Sequence, residues 1–121
     1  MILKRLFWWV PLGRVPEISS QDLYAKLKSG QAPYILDVRT PAEWKSSRID
    51  GAVNIPITSL KQEIKNLNIP LDRPVVAICL SAHRSIPAVR LLNLAGFNDA
   101  RQLQGGMQAW WQSGLPVKEN G

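Results

Sequence analysis

The sequence predicts an α/β fold of three layers, a central, mostly parallel sheet with helices on both faces. Two patterns carry this expectation. Short apolar runs, Tyr34-Ile35-Leu36-Asp37-Val38 and Val75-Val76-Ala77-Ile78 among them, alternate with stretches of helical spacing. The runs are nearly continuous in hydrophobicity, as parallel strands covered on both faces are. Gly and Pro close the segments at Gly30, Pro56, Pro74, Gly96 and Gly114, and strands alternating with helices imply a parallel sheet.

Each element has its own local reason. Ser19 or Ser20 followed by Asp22 signals a helix start, and Leu23, Tyr24 and Leu27 give that helix an apolar face before Gly30 stops it. After the Tyr34–Val38 strand, Thr40-Pro41-Ala42-Glu43 reads as a capping box, with Pro41 at the first helical position and Glu43 reaching back to Thr40. A turn at Asp50-Gly51 leads to the strand Ala52–Ile55. Thr58 is the predicted cap of the next helix, which places Leu60, Ile64 and Leu67 on one face. The Val75–Ile78 strand is followed by a helix that is expected to bury Ile86, Val89, Leu92 and Leu94. Pro87 fixes where that helix begins, because a proline costs about 3 kcal/mol in a helix interior and nothing comparable in its first turn. Ala100–Leu103 is a weaker strand, and a last helix runs through Met107, Trp110 and Trp111.

At 121 residues with a net charge of +6, the chain has the size of one domain and an affinity for anions. The cations are dispersed along it, with no dense or aromatic-interleaved basic tract, so nucleic acid is not an expected partner. Its single cysteine excludes an intrachain disulfide, and with a single histidine no metal site or cofactor is expected. The chain divides into an apolar, basic arm, 1–15, and a domain, 16–121. The arm's apolar stretch, 1–13, is too short to span a bilayer, which takes about 20 apolar residues, and it lacks the build of a signal peptide. Trp8 and Trp9 beside Lys4 and Arg5 suit a peripheral contact with a membrane surface; packing on the chain's own domain or on a partner suits them equally. The expected location is cytoplasmic, with that contact at a membrane left open.

Cys79 is the residue on which a function turns. It ends an apolar run and opens Cys79-Leu80-Ser81-Ala82-His83-Arg84-Ser85, just before a helix. Helix N-terminal N–H groups, the helix dipole and nearby cations all favour a thiolate. A buried cysteine is more often a small core hydrophobe, but an inert one has no use for the polar, cationic loop that follows. Cys79 is therefore the expected nucleophile.

Three blocks of sequence together resemble the rhodanese-like (sulfurtransferase) family over roughly Pro16 to Val117. They are Ile35-Leu36-Asp37-Val38-Arg39-Thr40-Pro41-Ala42-Glu43-Trp44 continuing to Ile49-Asp50-Gly51-Ala52-Val53-Asn54-Ile55-Pro56, the Cys79–Ser85 loop, and Leu94-Ala95-Gly96-Phe97 with Gln104-Gly105-Gly106-Met107-Gln108-Ala109-Trp110. The resemblance implies a five-stranded sheet and a persulfide relay. Cys79 takes sulfane sulfur from a small anionic donor such as thiosulfate or a persulfide, and passes it to cyanide or a thiol, a protein thiol included. Leu80, Ser81, Ala82, His83 and Arg84 form the active-site loop, whose N–H groups, with Ser81 and Arg84, cradle the anion. Gly105, Gly106 and Trp110 wall the pocket, while Asp37 and Arg39 tie the sheet end to its neighbouring loops.

Four residues separate Cys79 from Arg84, one fewer than in the related phosphatases, which favours sulfur over phosphate. The chain departs from the family pattern where Leu80 replaces a cation, Ala82 a glycine and Arg48 a histidine. The loss of the cation weakens the attraction for thiosulfate. These departures and the apolar arm support an alternative, a rhodanese-like interaction module docked by its arm, with catalysis vestigial. A weaker one is phosphatase or arsenate reductase activity.

Overall fold

The structure is a computed structural model and describes residues 8–10 and 13–120. Five strands, β1 (Glu17–Ile18), β2 (Tyr34–Asp37), β3 (Val53–Asn54), β4 (Val75–Ile78) and β5 (Ala100–Leu103), form one sheet in the order β1-β5-β4-β2-β3. Every pairing is parallel. The five α-helices are α1 (Ser20–Lys28), α2 (Pro41–Ser46), α3 (Ile57–Glu63), α4 (Ser85–Leu94) and α5 (Gly106–Gln112), and a 3-10 turn, Ile64–Asn66, extends α3.

The central strand β4 is buried along its whole length, and its side chains alternate between two core layers, as the period of two dictates. Val75, Ala77 and Cys79 join Leu60 of α3 and Val89 and Leu92 of α4 in one layer. Val76 and Ile78 join Leu23 of α1 and Met107 and Trp110 of α5 in the other.

The helix starts follow the expected chemistry in two cases. Ser19 caps α1 by accepting the Asp22 N–H at 3.1 Å, and Thr40 and Glu43 complete the capping box of α2. Three details differ. Thr58 does not cap α3; the cap position is Pro56, which has no side-chain acceptor to offer. In α4 the buried positions include Leu91, whereas Leu94 is exposed at the last turn and Ile86 is half-buried. Finally, the two-residue β1 has no strand signature of its own and is held by pairing to β5.

Of the arm, residues 1–7, 11 and 12 lie outside the described residues, and with them most of the stretch expected to meet a membrane surface. Trp8 packs on the α3/α4 layer with Lys61 Nζ 5.8 Å from its ring centre, and the Val10 carbonyl accepts from Arg90. Trp9 is 59% exposed. No helix among the described residues is long and apolar enough to cross a membrane.

Candidate active site

The site forms where β4 ends. Cys79 follows directly, and the chain then bends through Leu80–Arg84 into α4, with Arg84 as its N-cap and Pro87 in its first turn. Pro87 and the buried Ser85 hold the helix start, so the N–H groups before it remain with the loop.

Cys79 is 1% exposed, and its sulfur lies on the floor of this loop. The Arg84 backbone N–H donates to Cys79 Sγ at 3.2 Å. Burial pushes the thiol's pKa up. The N–H groups of Ser81 and Arg84, with the Arg84 guanidinium, outweigh that and bring it below the ordinary 9.0. Ser81 Oγ and His83 Nδ1 lie 3.1 Å apart at the exposed rim.

Ala82 has φ +79°, and it is the residue outside glycine with a left-handed backbone among the described residues. This conformation turns the loop back over the sulfur, and it is adopted despite the β-carbon, at a cost of about 1–2 kcal/mol.

The α5 start supports the loop from the other side. The N–H groups of Met107 and Gln108 donate to the carbonyls of Cys79 and Leu80 at 2.8 and 3.0 Å. This contact needs the bare Cα of Gly106. Gly106 thus lies against the backbone of the loop, whereas a β-carbon at Gly105 would meet Ala109 of α5 instead. Trp110 is placed differently. It is fully buried in the layer opposite Cys79, its indole N–H bound to the Pro116 carbonyl at 2.9 Å. There it borders a cleft of about 510 Å³ with Tyr24, Lys28 and Val117.

Arg84 is the main surprise. Its guanidinium makes a two-pronged ion pair with Glu43, at 2.8 and 3.0 Å. The sheet register explains the meeting. Asp37 pairs with Ile78, so the chain leaving β2 for α2 runs beside the chain leaving β4 for the cysteine loop. Glu43 Oε1 also accepts the Thr40 N–H and Oγ1–H, each at 3.0 Å. The Arg84 contact comes first among the causes that hold the Glu43 carboxyl at about 2, below its usual 4.5. Read in sequence, Glu43 is fully explained as a cap; its second role depends on register, which no local signal reveals.

Two further networks brace the site. Asp37 and Arg39, both buried, are paired at 2.8 Å, and Arg39 also donates to the Ser47 carbonyl at 2.6 Å. Asn54 Nδ2 then donates to the carbonyls of Asp37 and Arg39. A hydrogen-bonded chain runs from the buried Ser85 Oγ to Gln102 Oε1 at 2.7 Å, and from Gln102 Nε2 to Oε2 of the exposed Glu17 at 2.9 Å. Arg48 stacks 4.2 Å from the Trp44 ring centre and binds Asn120, holding the C-terminal tail.

Fold and site together define a class: a three-layer α/β domain that presents a cysteine of lowered pKa in a loop of amides at the end of its central strand. The rhodanese-like domain pattern matches residues 19–113, and the chain belongs to the rhodanese-like family. It is 36% identical over 103 residues to a sulfurtransferase of Allochromatium vinosum, covering 85% of this chain and 94% of that protein. It is 39% identical over 93 residues, 77% of this chain, to the probable adenylyltransferase/sulfurtransferase MoeZ of Mycobacterium tuberculosis, of whose length it covers only 24%. Among solved structures, a rhodanese-related protein from Thermoplasma volcanium superposes with a TM-score of 0.76 at 34% identity, over 86% of this chain and 98% of that one.

Proposed function

We propose that the protein is a sulfurtransferase that moves sulfane sulfur through a persulfide on Cys79. The Cys79 thiolate attacks the outer sulfur of a donor such as thiosulfate or a persulfide. A new S–S bond forms on Cys79, the donor's own S–S bond breaks, and its electron pair leaves with sulfite or a thiolate. A cyanide or thiol acceptor then attacks the outer sulfur of the Cys79 persulfide, which returns the thiolate. The loop amides, Ser81 and Arg84 among them, face the anionic sulfur through both steps. The observation that carries this reading is the Arg84 N–H to Cys79 Sγ hydrogen bond at 3.2 Å on a thiol of lowered pKa. The similarity to a named sulfurtransferase across nearly its whole length supports it.

The test is intact mass after brief exposure to thiosulfate or a persulfide, and again after cyanide. A gain of one sulfur atom that cyanide removes as thiocyanate is the expected result. Cys79→Ser should keep the fold and lose the gain. Persistence of sulfur transfer in that variant would sink the proposal.

A further inference from the structure

Around the nucleophile, side-chain charge is nearly cancelled. Leu80, directly after Cys79, is apolar. The loop's arginine is paired through both terminal nitrogens to Glu43, and the two side chains are 32% and 30% exposed. Glu43 is itself held by Thr40, so the positive charge that Arg84 turns toward the thiol is offset by an anchored carboxylate. Thiosulfate brings two negative charges to a site whose one arginine is already balanced by a carboxylate. An alkyl persulfide brings at most one, and its organic group meets Leu80 without penalty.

Resting on the sulfur-transfer reading above, we propose that Glu43 is a selectivity residue, neutralising Arg84 so that Cys79 draws its sulfur from alkyl persulfides in preference to thiosulfate. The reaction is balanced within its partners: Cys79–S⁻ and R–S–SH give Cys79–S–SH and R–S⁻. The Cys79–sulfur bond forms as the R–S to sulfur bond breaks, the departing alkyl thiolate takes up a proton from solvent, and no outside oxidant is needed. Glu43 acts through Arg84 and touches neither reacting sulfur in this scheme.

The experiment measures single-turnover sulfuration of Cys79 by mass, using thiosulfate and the persulfide of 2-mercaptoethanol, in the full chain and in two variants. Glu43→Gln removes the charge and keeps an acceptor for the Thr40 cap. Leu80→Lys adds a cation beside the thiol while the ion pair stays in place. The readout is the ratio of the two loading rates within each protein. Partial misfolding or an altered thiolate fraction affects both donors alike and cancels in that ratio. The original chain should load from the persulfide at least about tenfold faster. Each variant should shift the ratio toward thiosulfate by about tenfold, the scale of one unpaired charge near a dianion at a half-exposed site. A ratio unmoved in Glu43→Gln, whatever Leu80→Lys does, or a shift away from thiosulfate, overturns the selectivity role. Should neither donor sulfurate the original chain, the sulfur-transfer reading falls, and the selectivity falls with it.

Discussion

Gly106 lies against the carbonyl oxygen of Cys79: a β-carbon at Gly106 would sit 2.5 Å from that oxygen and 2.6 Å from the Leu80 carbonyl carbon. The obstacle is backbone on both counts, so no rotamer change can relieve it. Gly106 also has φ +60°, which a side chain resists. The expected outcome for Gly106→Ala is a loss of about 2–4 kcal/mol, the sum of overpacking and left-handed strain. Denaturant unfolding reads that cost. The surviving folded fraction should also load sulfur more slowly, because the loop must lift off α5. Unchanged stability would mean that the contact yields without strain.

Ala82 gives the opposite sign. Its φ of +79° is paid in strain that glycine does not carry, although glycine also gains freedom in the unfolded chain. The net expectation for Ala82→Gly is a stabilisation of about 0.5–1 kcal/mol, or about 3 °C in melting temperature for a domain of this size. Calorimetry decides it; a lowered melting temperature would show that the backbone there is not strained.

The depressed thiol pKa predicts a pH profile. Alkylation of Cys79 by iodoacetamide should show its midpoint below 9.0 in the folded protein, and move up toward that value in urea. The same shift makes folding tighter above the unfolded thiol's pKa than below the folded one. Coincident folded and unfolded midpoints would remove the claim that the loop favours the thiolate.

Acid should weaken the Glu43–Arg84 pair. The folded carboxyl titrates at about 2 against 4.5 when unperturbed. Its contribution to stability is therefore complete above 4.5 and is lost as the pH falls from there through about 2. Glu43→Gln should flatten that part of the pH–stability curve, and chemical denaturation across the range measures it. An equally steep curve in the variant would assign the acid sensitivity to other carboxylates.

What the sequence made legible was local. The continuous Val75–Ile78 run, the Thr40–Glu43 capping box and Pro87 in the first turn of α4 each follow from residues close in the chain, and together they place Cys79 at a strand end before a helix. What it hid was pairing at a distance. β1 is two residues long and becomes a strand only because Glu17 and Ile18 meet Gln102 and Leu103. The partner of Arg84 depends on the register of β2 against β4. The family resemblance implies Trp110 as a pocket wall, whereas α5 turns its side chain into the layer opposite Cys79.

The hydrogen-bonded chain from Ser85 through Gln102 to Glu17 gives the sheet's margin a say in the chemistry. Glu17 lies on the outermost strand, two strands away from the sulfur. If that margin frays, Gln102 Nε2 loses its acceptor inside the protein, and Ser85, the immediate neighbour of Arg84, loses a firmly anchored partner. Stillness at the thiol is thus tethered to an edge strand only two residues long.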